Sequence, residues 1–441
     1  MNSIWTETTS APQFDSLQQD VKTDVLVIGG GITGILCAYM LQRAGVDYIL
    51  VEAARICDGI TKNTTAKITL QHGIIYDKLI RTFGADLAGL YAKANMEALE
   101  QYREICKTID CDFEKRDSFV YTLDQPTKIE KEVAALKKLG VFAEYVSKLD
   151  LPFPIAGAVR VGDQAQFHPL KFLYEIAKEL RIFENTKVLE LKPGQAITSH
   201  GKITAGKMIV ATHFPIINKH GSYFLKLYQH RSYVLAIENA DRIQGMYVDE
   251  AKKGMSFREY GKFLLIGGGS HRTGKKGGNW QELREFVKKY YPGAKERYYW
   301  ATQDCMSLDH VPYIGHYCSH MQDLYTASGF NKWGMSSAMV AAMVLTDMVQ
   351  GKENVYAPVF SPSRNILRPQ LAINAVESLG GLLTPTVPRC PHMGCALKYN
   401  RAEHSWDCSC HGSRFTEKGE LIDNPATDDK KTPPPKMDNF L

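Results

Sequence analysis

A glycine-rich turn between two apolar segments constrains how the N-terminal part of this chain can fold. Residues 24–28 (DVLVI) have the composition of a buried strand, and residues 32–45 place apolar side chains at helical spacing. The motif Gly29-x-Gly31-x-x-Gly34 lies between them. Glycines at these positions permit a tight turn, close approach of a pyrophosphate to the backbone, and close packing of helix on strand. The pattern predicts a strand, a phosphate-binding turn and a helix.

An acidic residue completes this pattern. Glu52 ends the next apolar run, residues 48–52, and follows Gly34 by 18 residues. An acid at about this spacing hydrogen-bonds a ribose hydroxyl in dinucleotide-binding units. Ile32 and Thr33 begin the helix whose N-terminus faces the phosphates. These residues predict a βαβ dinucleotide-binding unit within an α/β body, and by themselves they allow either FAD or NAD.

Length, charge and hydropathy exclude several classes of protein. With 441 residues the chain is long enough for two or three units. Its formal net charge of +5 is spread among interspersed acidic and basic residues, which does not indicate a nucleic-acid partner. The mean hydropathy is −0.25, and residues 1–20 do not have the pattern of a signal peptide. We therefore expect a cytoplasmic protein that is not inserted into a membrane.

A second motif lies near the C-terminus. Cys390-x-His392 and Cys408-x-x-His411 are separated by fifteen residues and offer two thiolates and two imidazoles on two short loops. A Rieske-type 2Fe-2S cluster needs two Cys on one iron and two His on the other. A Cys₂His₂ set also binds structural zinc, but zinc ligands are usually spaced as C-x₂₋₄-C and H-x₃₋₅-H. The motif favours the iron–sulfur cluster and leaves zinc as the alternative.

Beyond the glycine loop, the chain resembles the D-amino-acid-oxidase and sarcosine-oxidase family of flavoenzymes over most of residues 1–355. The resemblance is carried by the stretch GITKNTTAK at 59–67, by a segment around Val188, and by the late run DLYTASGF at 323–330. It implies that the dinucleotide is FAD. The implied contacts are Thr65, Ala66, Lys67, Val188, Gly329, Phe330 and Gly334.

The same resemblance raises two points, one about the flavin and one about the substrate. Cys305, in the segment QDCM, is a candidate covalent tether for FAD, and an inert buried thiol is the alternative. Family members that bind amino acids use a lysine in the late turn, where this chain has Ser336, with Lys332 displaced. His72 is a candidate catalytic group beside the flavin, with a packed histidine as the alternative. Arg258, Tyr260 and His230 are unranked candidates on strands of the substrate domain.

The C-terminal segment CPHMGCALKYNRAEHSWDCSCHGSRF resembles the Rieske family. The resemblance implies a disulfide between Cys395 and Cys410, and a hydrogen bond from Ser413 to the cluster. Phe415 stands where high-potential members have tyrosine, which implies a lower reduction potential. Only about forty residues bracket the loops, so we expect this subdomain to pack on the body or to be held by its metal.

These features predict three units. The fold class is α/β: a Rossmann-like FAD-binding domain, an α+β substrate domain with a mixed or antiparallel sheet, and a small all-β Rieske subdomain. The predicted ranges are an N-terminal extension at 1–20, the FAD-binding domain at 21–76, 155–220 and 300–355, the substrate domain at 77–154 and 221–299, a linker at 356–384, and the Rieske subdomain with its tail at 385–441.

The function expected from this combination is that of an FAD-dependent oxidoreductase. Such an enzyme would take a hydride from a small organic substrate, most plausibly an amine or imino compound, and would pass electrons singly through the cluster to an acceptor protein. A cluster is superfluous in a free-standing oxidase, so a dehydrogenase is favoured. A non-catalytic redox sensor, an electron-transfer module, and a reductase serving a partner protein are the alternatives.

Two other interpretations do not fit the sequence. A Rieske oxygenase needs a further iron-binding domain, and thirty residues follow His411. A second nucleotide site at Gly267–Gly269 is not supported, because Arg272 replaces the third glycine. We interpret that segment as a strand of the substrate domain.

Overall fold

The computed structural model describes residues 2–217, 220–385 and 388–429. Its strands are β1 (Val21–Ile28), β2 (Tyr48–Val51), β3 (Lys67–Ile68), β4 (Glu114–Thr122), β5 (Glu144–Val146), β6 (Gly157–Gln166), β7 (Ile182–Phe183), β8 (Val188–Lys192), β9 (Gln195–Thr198), β10 (Gly201–Val210), β11 (Leu227–Glu238), β12 (Met246–Asp249), β13 (Ser256–Tyr260), β14 (Phe263–Arg272), β15 (Lys295–Ser307), β16 (Tyr313–His316), β17 (Leu324–Ser328), β18 (Leu397–Asn400), β19 (Ser405–Cys408), β20 (Arg414–Thr416) and β21 (Leu421–Asp423).

The helices of the same residues are α1 (Ile4–Glu7), α2 (Ile32–Arg43), α3 (Tyr76–Phe83), α4 (Ala85–Cys106), α5 (Pro126–Lys138), α6 (Pro169–Ala177), α7 (Tyr223–Lys226), α8 (Asn279–Tyr290), α9 (Gly334–Val349), α10 (Ala357–Phe360) and α11 (Pro369–Leu383). Short 3₁₀ turns lie at Ile60–Asn63 and His220–Ser222. The predicted tail beyond residue 429 lies outside the described residues.

The first sheet contains the predicted dinucleotide-binding unit. Its strand order is β16-β17-β10-β1-β2-β7, and β1 is parallel to both β10 and β2. Its central strands are buried continuous apolar runs, as expected of a parallel sheet covered on both faces. Helices α2 and α9 pack together on this sheet, and the buried residues of α9 surround most of its circumference.

The second sheet is mixed and forms the body of the substrate domain. Its order is β15-β11-β14-β13-β12-β4-β6-β3, with β12 and β4 parallel and the other pairs antiparallel. Strand β6 and most of β15 lie within ranges that the sequence assigned to the FAD-binding domain. Both strands nevertheless pair in this second sheet. The two units therefore interleave along the chain.

A third, small sheet of four antiparallel strands, β18-β19-β20-β21, forms the C-terminal subdomain. Helix α11 lies in the predicted linker and contacts α7 of the body. At Gly381 a Cβ would collide with the sulfur of Cys410, so α11 also packs directly on the cysteine-bearing loops. The predicted fold class, an α/β body with an α+β second unit and an all-β C-terminal subdomain, is confirmed.

Candidate functional site

The glycine loop has the close contacts that its motif requires. Gly29 has φ of +108°, a conformation that L side chains rarely adopt, and a Cβ there would lie 2.8 Å from the carbonyl oxygen of Ala211. Gly31 immediately precedes α2. A Cβ at Gly34 would collide with the carbonyl oxygen of Gly29. The loop therefore brings the start of a helix against the end of β1 and leaves its backbone open to a phosphate.

Glu52 follows β2 and faces this loop. Its Oε2 accepts a hydrogen bond from Gly30 N at 2.7 Å, and its Oε1 accepts one from Ala54 N at 2.9 Å. Burial raises the pKa of this carboxyl, while the backbone N–H groups oppose that effect. Each carboxylate oxygen has a further lone pair, so Glu52 can hold the loop and accept from a ribose hydroxyl at the same time.

A cavity of about 880 Å³ starts at the glycine loop and extends between the first and second sheets. Most of the FAD contacts expected from the sequence line it, namely Gly29, Gly31, Ile32, Thr33, Glu52, Thr65, Lys67, Val188, Gly329, Phe330 and Gly334. Gly34 and Ala66 lie behind the wall: Gly34 packs on Gly29, and Ala66 O accepts a hydrogen bond from Arg258. The cavity size is that of a site for a large cofactor and a small molecule.

Two buried cations, Arg258 and Lys67, lie at the segment from 64 to 67. Arg258 is fully buried, and its Nη1 donates to Thr65 O at 2.8 Å and to Ala66 O at 2.9 Å. Lys67 lines the cavity, and its Nζ donates to Thr65 Oγ1 at 3.2 Å. Burial, with repulsion from Arg258, lowers the pKa of Lys67 to about 7. Arg258 thus holds the backbone of this segment, and Lys67 faces the cavity.

His72 lies outside the cavity lining. Its Nδ1 shares a 2.6 Å hydrogen bond with the hydroxyl of Tyr91, its Nε2 lies 2.8 Å from Ser336 Oγ, and its ring stacks on Trp333. Burial lowers the pKa of His72 to about 3. These contacts are those of a packed, neutral histidine, which is the alternative to a catalytic role. Tyr260, bonded to Asp112, also lies outside the cavity lining.

The far part of the cavity has a set of polar side chains that the sequence interpretation largely missed. Lys332 donates to Ser232 Oγ at 3.1 Å and also to Ser270, and burial lowers its pKa. Burial raises the pKa of nearby Asp304, while Lys332 opposes that effect. His230 is the unranked sequence candidate that does line this region. One signal for this polar region was present in the sequence, the displaced Lys332. It lies three residues after Gly329, so the turn that brings Gly329 to the cavity also brings Lys332 there.

Cys305 lies on β15 beside the turn after β17. Its carbonyl oxygen accepts a hydrogen bond from Asn331 N at 3.0 Å, and its sulfur lies 3.5 Å from Ser328 Oγ. Burial raises the pKa of this thiol to about 12. Cys305 lines the cavity next to Gly329, which is the placement that a covalent link to a cofactor would require.

The C-terminal loops bring the four predicted ligands together. The rings of His392 and His411 lie 4.9 Å apart at 88°. The pKa of the Cys390 thiol is lowered to about 7 by hydrogen bonds from the Cys408 thiol, Ser413 and two backbone N–H groups. His411 is 2% exposed, and neither of its ring nitrogens makes a hydrogen bond among the described residues. Buried, unsatisfied imidazole nitrogens beside two thiols fit a metal cluster.

A disulfide joins the two loops through Cys395 and Cys410. Ser413 is buried, and its Oγ accepts a hydrogen bond from Ala426 N at 3.0 Å while also contacting Cys390. Phe415 is fully buried in the apolar centre of the subdomain and offers no donor.

The cavity wall continues into this subdomain. Residues 421–424, 426 and 427 line the cavity together with Val188, Thr212 and His213. Asn424 Nδ2 donates to Thr212 O at 2.5 Å and to Phe214 O at 3.1 Å. The C-terminal subdomain is therefore part of the site that the glycine loop begins.

Comparisons with known proteins identify both units. Residues 24–348 match the family model described as "FAD dependent oxidoreductase", and residues 363–434 match the Rieske [2Fe-2S] domain. The fold and the site thus define an FAD-dependent oxidoreductase that carries a Rieske cluster. The chain belongs to the FAD-dependent oxidoreductase family of the D-amino-acid-oxidase type.

Three known proteins show how similar this chain is to other oxidoreductases and Rieske proteins. The Bacillus subtilis (strain 168) protein named "Putative Rieske 2Fe-2S iron-sulfur protein YhfW" is 34% identical, with 96% of each chain covered. Gamma-glutamylputrescine oxidoreductase of Escherichia coli (strain K12) is 27% identical over 45% of this chain and 50% of its own length. The crystal structure of glycine oxidase from Geobacillus kaustophilus superposes with a TM-score of 0.66 at 17% identity, covering 78% of this chain and 99% of that one.

The prosthetic groups predicted from the sequence, FAD and a Rieske-type 2Fe-2S cluster, are confirmed by these matches, and the structural-zinc alternative is set aside. Among the described residues, no helix has both the length and the apolar character needed to cross a membrane.

Proposed function

We propose that this protein is a dehydrogenase that oxidises a small amine or imino compound with FAD and passes the electrons singly through the Rieske cluster to an acceptor protein. When bound, FAD supplies a two-electron acceptor for oxidation of a C–N bond to C=N, and the cluster supplies a one-electron relay. A cytoplasmic location is part of the same proposal.

The observation that carries the proposal is the shared cavity wall. Gln229 on β11 contacts both the cavity wall and the C-terminal subdomain. Its Oε1 lies 3.1 Å from Nε2 of His213, which lines the cavity, and its Nε2 donates to Asn424 O at 2.7 Å. A Cβ at Gly412, next to the ligand His411, would collide with the side chain of Gln229. The flavin cavity and the cluster loop thus meet on one strand, which suits electron transfer between them.

The polar residues of the far cavity are our candidates for binding the substrate. Lys332, Asp304 and His230 line it, and burial lowers the pKa of His230 to about 3, so its imidazole is neutral at physiological pH. A buried amine and a buried carboxyl group can hydrogen-bond a substrate that carries both an amine and an anionic group. The name of the related gamma-glutamylputrescine oxidoreductase supports a substrate with a C–N bond.

For FAD itself we propose the cavity-lining glycines, Glu52, Thr65, Lys67 and Val188 as contacts, with Cys305 as a covalent tether. Acid precipitation of the purified protein should leave the yellow colour with the protein, and a Cys305→Ser variant should release it. Colour released equally from both proteins would exclude the tether and leave the rest of the proposal intact.

The principal test is anaerobic reduction by a panel of amines and amino acids, including glycine, sarcosine, proline and putrescine. We expect at least one compound to bleach the flavin absorbance and to produce the electron paramagnetic resonance signal of a reduced Rieske cluster. A Cys408→Ser variant should still bleach but give no such signal, whereas Cys318→Ser should behave like the wild type because that cysteine belongs to neither ligand loop.

Two results would contradict the proposal. If no compound reduces the flavin but photoreduced flavin reduces the cluster, the chain is a redox module without a small-molecule substrate. If substrate bleaches the flavin and oxygen reoxidises it rapidly while the cluster stays oxidised, the protein is an oxidase.

A further inference from the structure

Arg272 ends β14, three residues after the glycine cluster Gly267–Gly269 that resembles a nucleotide-binding motif. It lines the flavin cavity, and its guanidinium lies 5.0 Å from the centre of the Tyr228 ring, which lines the same wall. A planar, permanently charged guanidinium stacked on an aromatic face is held in a fixed orientation.

Three hydrogen bonds of this guanidinium run to the cluster subdomain and to α11. Nε donates to Ser409 O at 3.0 Å, Nη2 to Cys410 O at 2.9 Å, and Nη1 to Asn374 Oδ1 at 2.8 Å. The three acceptors are neutral oxygens, so none of these bonds cancels the positive charge. Ser409 and Cys410 lie between the two ligands of the second loop, Cys408 and His411.

The close approach of β14 to this loop depends on a further glycine. Gly274 has φ of +73°, and a Cβ there would lie 2.6 Å from Ser409 N. The chain after Arg272 therefore runs against the backbone of the ligand loop. No side chain fits between them.

The two carbonyl groups that Arg272 holds belong to peptide units that contact a ligand on their other side. The N–H groups of Cys410 and His411 hydrogen-bond to the sulfur of Cys408. In each trans peptide unit the C=O and the N–H point in opposite directions. Fixing the carbonyls of Ser409 and Cys410 therefore aims the N–H groups of Cys410 and His411 at the ligand sulfur, and the positive charge polarises both units toward stronger donation.

Hydrogen bonds to ligand sulfurs and nearby positive charge both favour the reduced form of an iron–sulfur cluster, because reduction adds one negative charge. Lys275, near the same loop, is paired with Glu377 at 2.6 Å, and Glu377 also attracts Arg272, whose three hydrogen bonds named above are to neutral groups. Phe415 offers no side-chain donor. The backbone N–H groups that Arg272 orients are therefore a main source of hydrogen bonds to the Cys408 sulfur.

We infer that Arg272 is a positioning residue that ties the cluster loop to the wall of the flavin cavity and raises the reduction potential of the cluster. The inference requires the cluster and not the amine-oxidising reaction, so a redox titration tests it whether or not a substrate is found.

The test is a reductive titration of the full-length holoprotein, followed by the electron paramagnetic resonance signal of the cluster. We expect Arg272→Gln to shift the midpoint clearly to lower potential, and Arg272→Lys to shift it less, because lysine keeps the charge but loses the planar fork. Lys276→Gln removes an exposed charge four residues further along the chain and should leave the midpoint unchanged.

Unchanged midpoints in both Arg272 variants would overturn the inference, as would a shift of equal size in Lys276→Gln. If Arg272→Gln does not retain iron, Arg272→Lys decides alone: a midpoint equal to the wild type overturns the inference, and a lowered midpoint supports it.

Discussion

The flavoprotein body and the cluster subdomain are stabilised in different ways. The body buries an extensive apolar core on both faces of its parallel sheet, which includes Ile35, Leu36 and Val340. The apolar centre of the subdomain consists of seven residues, four of them cysteines: Cys390, Cys395, Leu397, Cys408, Cys410, Phe415 and Ala426. So small a core stabilises little, and the subdomain therefore depends on its metal, its disulfide and its contact with the body.

That contact is made by buried charges. Arg231 on β11 of the body binds Glu403 of the subdomain, with Nε to Oε1 at 3.1 Å, and their side chains are 3% and 4% exposed. Arg414 then binds Glu403 at 2.8 Å, Asp407 at 3.0 Å and Asp423 at 3.0 Å. Buried ion pairs contribute modest net stability, but removing one partner is costly, so they fix one orientation. The comparison indicates that apolar packing forms the body and that charge pairing orients the subdomain on it.

The strongest test of this comparison is Glu403→Gln, which leaves two buried arginines short of a partner. We expect it to destabilise the docked subdomain by about 3–5 kcal/mol, while the flavin absorbance stays normal. The measurement is the temperature at which cluster absorbance is lost, compared with that for flavin release. Glu417→Gln in the same subdomain is the control, because Glu417 is exposed and its change should have almost no effect. Equal behaviour of the two variants would mean that the ion network does not hold the interface.

A second prediction concerns the body alone. In flavin-free protein the buried amine of Lys67 has a pKa of about 7, whereas the ordinary value is 10.5. Between pH 7 and pH 9 the folded state therefore loses a proton that the unfolded chain keeps, so the free energy of unfolding should rise with pH. Over these two pH units the rise is about 2 kcal/mol. Urea unfolding at pH 7, 8 and 9 measures it.

Lys67→Met should abolish this rise, and Lys62→Met, which removes a surface lysine paired with Asp58, should keep it. Parallel pH profiles for wild type and Lys67→Met would show that the amine is not desolvated in the apoprotein.

The third and smallest effect concerns the shared wall. Asn424→Ala removes both side-chain hydrogen bonds to the backbone of Thr212 and Phe214. A loss of about 1–1.5 kcal/mol, which corresponds to roughly tenfold weaker FAD binding, is expected from such contacts. Fluorescence titration of the apoprotein with FAD measures it. The cluster signal serves as the internal reference, because Asn424 lies outside the ligand loops; unchanged affinity would mean that the subdomain only covers the cavity.

Local motifs accounted for much of this site. The glycine loop, Glu52 and the four cluster ligands could be predicted because each depends on residues close together in the chain, whose spacing fixes their geometry. The brevity of the C-terminal segment also predicted that it would need to pack on the body.

What the sequence did not indicate depends on contacts between distant segments. Asp304 lies opposite His230 because β11 and β15 pair in register, and no local spacing encodes that pairing. Arg272 was noted only as a residue that breaks a nucleotide-binding motif. Its role follows from the packing of β14 against a loop about 140 residues away in sequence.

The shared wall also bears on how the protein is assembled in the cell. Synthesis proceeds from the N-terminus, so the glycine loop and both large sheets emerge before residues 421–427 exist. Until those residues are made and docked, the cofactor cavity lacks one side. We therefore expect stable flavin loading to follow docking of the iron-binding segment, and chains interrupted before it to hold FAD more weakly even though their Rossmann-like unit is complete.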